Sequence, residues 1–135
     1  MKLAARFGFA AFASMAILLG GQVSLGGPAT SADVDLDVVF RCAGKAPGLM
    51  KSCRETRDMI INNCTVCHTF VPIVMQQFEP EGWDSLLHRH VAGDRVGNLK
   101  ETQVKTIREF LVSTFNTAHE PPELPEELLA TWTSY

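Results

Sequence analysis

The sequence predicts an all-α fold. Three segments, 53–63, 82–92 and 100–115, repeat their apolar residues at the period of a helix. No segment reads as a convincing strand, and there is no internal repeat or long low-complexity tract. With 135 residues the chain has the length of one domain.

The first 32 residues differ from the rest. Lys2 and Arg6 precede an apolar run, "FGFAAFASMAILL", and small residues, "GGPATSA", close the segment. This is the layout of a secretory signal peptide, with the cut expected after Ala32 and Thr30 in the small −3 position. The run at 7–19 is short for a membrane span, which needs roughly 20 residues. A membrane association is expected only if the leader is retained. Without Lys2 and Arg6 the formal net charge falls from −3 to −5. That acidic balance, with no basic stripe, excludes a nucleic-acid partner from the reading. Export places the protein in the periplasm, where cysteines tend to be paired or otherwise committed.

Residues 33–52 read as an N-terminal extension, because Gly44, Pro47 and Gly48 argue against regular structure. Ser52 and Glu55 have capping-box spacing and predict a helix over 53–63, "CRETRDMIINN". Ile60 and Cys64 share a face of that helix. Residues 69–82 hold Pro72 and read as a loop with a short helical turn. A turn at "EPEGW" leads into a helix over 82–92, which stops near Gly93. The last long helix, 100–115, carries Val104, Ile107, Leu111 and Phe115 as its apolar stripe, with Phe110 beside it. The tail, 117–135, is rich in Pro and Glu, with one short helix expected at "PEELLATW".

The chemistry sits in "NNCTVCHTF", where Cys64, Cys67 and His68 form C-x-x-C-H. This is the attachment motif of c-type haem. Two thiols at this spacing reach the two vinyl groups of one haem, and the adjacent histidine meets the iron. Zinc requires about four ligands, and Cys42 and Cys53 are loosely spaced for a set. Thiol–disulfide exchange also uses C-x-x-C but normally sits beside a βαβ pattern, which is absent here. Cys42 and Cys53 are left over, and the simplest reading is a structural disulfide worth about 2–3 kcal/mol. A redox-sensing pair and unpaired thiols are the alternatives.

Candidates for the second axial ligand are Met75, His88, His90 and His119 downstream, with Met50 and Met59 upstream. At about 100° per residue, His90 falls on one stripe with Trp83, Leu86 and Leu87, while His88 points away. A histidine on a buried face needs a partner. Iron supplies one, so His90 is the expected ligand. Met75 reads as core packing, and Trp83 as packing over the haem rather than as an electron conduit.

Taken together, "CTVCH…EPEGWDSLLHRH…LKETQVKTIREFL" resembles the haem domains of quinohaemoprotein amine dehydrogenases and sulfite dehydrogenase cytochromes. These are small monohaem c-type cytochromes, similar to class I. The resemblance covers roughly residues 53–116, the expected cytochrome c domain. It implies three to four helices around one covalent haem, with Cys64, Cys67, His68, His90 and Trp83 binding the cofactor. Relatives of this kind carry methionine seven positions after the tryptophan, where this chain has His90. The departure implies bis-His iron held by His68 and His90. The implied function is periplasmic electron transfer, with a periplasmic dehydrogenase or another cytochrome as redox partner. No acid, base or nucleophile constellation points to an enzyme. The alternative is a haem-based ligand sensor or small haem enzyme with a labile sixth ligand.

Overall fold

A computed structural model describes residues 34–133. The expected leader, 1–32, and Tyr135 lie outside the described residues. Among the described residues the chain is all-α, with no strand, and no helix is long and apolar enough to cross a membrane.

The helices are α1 (Leu36–Val39), α2 (Pro47–Cys64), α3 (Val71–Met75), α4 (Pro80–Ala92), α5 (Glu101–Thr114) and α6 (Glu126–Leu129). A 3-10 turn, Ala130–Thr133, follows. The expected helix over 53–63 needs correcting at its start. α2 begins at Pro47, and Ser52 is no cap: its hydroxyl donates back to the Leu49 carbonyl at 3.1 Å, inside the helix. The physical reason is that proline is tolerated in a helix's first turn, where its missing N–H would have no partner anyway. Pro47 therefore opens α2 instead of excluding it, and Pro80 opens α4 two residues before the expected start in the same way.

The expected extension and tail both enter the core. Val39, Phe40 and Cys42 are buried from one side, and Leu128 from the other. Phe40 is fully enclosed, its ring 6.2 Å from Phe70 and 5.9 Å from Phe115 between centroids. Cys42 and Cys53, both buried, stand at disulfide distance with Cα atoms 5.5 Å apart, tying the Phe40 loop to α2. Asp37 reinforces that tie. Its backbone carbonyl accepts from the Cys42 and Ala43 amides, at 2.7 and 2.9 Å. Its carboxylate accepts from Arg54 and Arg57 on α2. Hydrogen bonding from Arg54, with the charge of Arg57 added, holds the Asp37 carboxyl below the usual carboxylate range against the opposing effect of desolvation.

Helices α4 and α5 pack against each other, and α5 also packs on α2. Ile107 and Leu111 are the buried stripe of α5, continued by buried Phe115 at its C-cap; Val104 and Phe110 are only partly buried. Trp83, buried on α4, donates its indole N–H to the Phe115 carbonyl at 2.7 Å. One bond thereby satisfies a buried indole and the end of α5. Across the surface, Arg108 on α5 donates from Nε and Nη2 to the two carboxylate oxygens of Asp84 on α4.

Candidate haem site

Four helices and the loops between them build one apolar cavity of about 210 Å³. Cys64 ends α2, His68 follows in the loop, and Trp83, Leu86, Leu87 and His90 face in from α4. Ile107 and Leu111 of α5 close the floor. The remaining wall comes from Pro72, Ile73, Gln76 and Phe78 in and after α3, and from Val96 in the loop after α4. The sequence reading missed this last group. α3 is short, but Pro72 inside a run of apolar residues marks a turn packed against something, and Val96 is an apolar residue alone among polar neighbours.

Both histidines line the cavity, and each is held at Nδ1 by a backbone carbonyl. The His68 Nδ1 lies 2.7 Å from the Thr69 carbonyl. The His90 Nδ1 lies 2.8 Å from the Leu86 carbonyl, one turn back along α4. A carbonyl only accepts, so in each neutral ring Nδ1 carries the proton and Nε2 the lone pair. This is the tautomer a histidine ligand needs, with its outer nitrogen anchored to the backbone. The end of α4 fixes His90 further. Arg95 N–H donates to the His90 carbonyl at 2.8 Å, and Asp94 N–H to Val91 at 3.1 Å. This is a Schellman closure, in which Asp94 takes the left-handed position at φ 52°. Aspartate tolerates that conformation better than bulkier residues.

The other candidates sit elsewhere. His88 and His119 are exposed, and Met75 packs partly buried against the core. Neither Met50 nor Met59 lines the cavity. Gly82 is required by the packing on the cavity side: a Cβ there would stand 2.9 Å from the Phe78 Cβ. Phe78 in turn meets the Trp83 ring edge-on at 5.2 Å.

The two motif cysteines differ. Cys64 is on the cavity wall, and burial pushes its thiol up to about 11. Cys67 is exposed and lines a neighbouring surface hollow with Val66 and Leu128. His68 borders both spaces. Cys64 in the cavity wall, Cys67 exposed beside it and His68 between the two spaces are the residues that would hold a covalent haem there. In haem-free chain at pH 8, iodoacetamide should label Cys67 well before Cys64. A rise from 9 to about 11 cuts the reactive thiolate fraction of Cys64 about a hundredfold. Peptide mass spectrometry reads the order; equal labelling of the two would contradict the buried placement of Cys64.

Comparison with protein-family models, with curated proteins and with solved structures finds no match for this chain. The argument for function therefore rests on the motif and on the cavity.

Proposed function

We propose that this protein is a periplasmic electron-transfer cytochrome c with one covalent haem in the cavity bounded by α2, α4 and α5. The observation that carries the reading is the convergence of Cys64, His68 and His90 on one apolar cavity, with both imidazoles anchored at Nδ1. Cys64 and Cys67 are the thioether positions, His68 the proximal ligand and His90 the distal one. The bound haem supplies one-electron redox chemistry through its iron.

The chain's own residues do the rest. Backbone anchoring holds each ring in one orientation, so the ligands need not rearrange when the electron arrives. The apolar wall from Ile60, Leu86, Leu87, Ile107 and Leu111 excludes water. Trp83 is fixed by its bond to Phe115 and serves as a packing plate. With imidazole in place of methionine, the potential should lie below that of His/Met cytochromes, since methionine raises it. The partner class is a periplasmic dehydrogenase or another cytochrome.

The experiment is export of the full chain in a host that matures c-type haem, followed by intact mass and digestion. The reading predicts one haem bound covalently to the peptide that contains Cys64 and Cys67. It also predicts that Cys64→Ser and Cys67→Ser each leave a single thioether. An exported chain carrying no haem, or haem removed by acidified organic solvent, would refute it.

A further inference from the structure

The segment after residue 116 has the composition of a solvated tail, with Glu120, Glu123, Glu126 and Glu127 among three prolines. It is fastened along its length all the same. The Thr117 hydroxyl donates to the Glu79 carboxylate, and the Arg41 guanidinium donates to the Glu120 carbonyl. Arg41 itself holds a left-handed backbone, at φ 55°. Farther on, Leu128 is buried in the core. The last fastening is at Thr131, whose Oγ1 lies 3.1 Å from the Oγ1 of Thr69.

The direction of that last contact follows from counting protons. A threonine hydroxyl has one proton to give. Thr131 has the Leu128 carbonyl at 2.6 Å, much the closer acceptor, so its proton goes there. Thr69 is then the donor to Thr131. The Thr69 oxygen also faces the Val71 N–H at 3.4 Å. Thr69 is thus gripped by its side chain while its carbonyl receives the His68 Nδ1–H. Threonine is β-branched and stiff at χ1, so fixing its hydroxyl also restrains its backbone.

We propose that the C-terminal segment is a positioning strap for His68: Thr131 orients Thr69, and Thr69 holds the imidazole through its carbonyl. The proposal rests on the haem reading of the site. Outer hydrogen bonds of this kind set ring orientation and raise the basicity of a ligating histidine. A firmer Nδ1–H bond makes His68 the stronger donor and favours ferric iron. Loosening the strap therefore raises the potential, although residue 131 touches neither the cavity nor the motif.

The test uses the full-length haem-loaded protein with Thr131→Val, which keeps the shape and removes the hydroxyl, and with Thr131→Ser, which keeps the hydroxyl. The two readouts are the midpoint potential and the solvent exchange of the His68 Nδ1 proton by nuclear magnetic resonance. Thr131→Val should keep its haem, shift the midpoint upward and exchange that proton faster than the unaltered protein. Thr131→Ser should behave as the unaltered protein. Unchanged readouts in Thr131→Val, or equal shifts in both variants, would overturn the strap while leaving the haem reading intact. If Thr131→Val does not accumulate, the unaltered protein decides: a slowly exchanging Nδ1 proton supports the strap, and a freely exchanging one overturns it. Absence of haem from the unaltered protein is a separate outcome, which refutes the function and the strap with it.

Discussion

His90→Ala protein, reduced and exposed to carbon monoxide, should shift its haem absorption, whereas the unaltered protein should not. On the proposed reading, removing the imidazole would take away the distal donor but leave His68 and both thioethers in place. The iron would then have an open position for a small ligand. Added imidazole should compete for that position and return the spectrum towards the original. His88→Ala is the control. It lies two residues away on the same helix, exposed on the opposite side, and should change nothing. The midpoint potential of His90→Met should rise, because a thioether favours ferrous iron more than imidazole does. An unaltered spectrum in His90→Ala would remove His90 from the site.

The second large effect concerns stability. Replacing Cys42 and Cys53 together by alanine should cost about 3 kcal/mol, from loop entropy alone. The bridge spans a separation of 11 residues and both sulfurs are buried, so lost packing around Phe40 adds to that. For a domain of this length the thermal midpoint should fall by roughly 10–20 °C. Calorimetry of the unaltered protein with and without reductant gives the same comparison without mutation. Identical unfolding under both conditions would mean the pair does not constrain the chain. Haem attachment should survive, since Cys53 and Cys64 lie about three turns apart along α2.

The parts of this site that lie close in sequence were legible in it. C-x-x-C-H occupies five consecutive positions and carries its own geometry. His90 was legible because a helix repeats every 3.6 residues, so Trp83, Leu86, Leu87 and His90 had to share a face. The boundaries of α4 and α5 came within two residues for the same reason. Pro47 and Gly48 misled, because both break helix interiors yet are harmless in a first turn, and the periodic signal of α2 only becomes strong after residue 52. The long-range features had no local trace. Nothing near Asp37 announces that Arg54 and Arg57 will close on it. Nothing in a Pro- and Glu-rich tail announces that Leu128 will be buried or that Thr131 will meet Thr69. Such contacts depend on how the helices pack, and that is decided by the whole core at once.

The measurement that tests the central claim most directly is the optical spectrum of the exported, reduced protein before and after carbon monoxide. The account predicts c-type haem bands that carbon monoxide leaves unmoved, because His68 and His90 both hold the iron. An absence of haem bands would contradict the account at its root. Bands that shift would contradict the bis-His assignment and bring forward a ligand sensor or haem enzyme built on the same cavity.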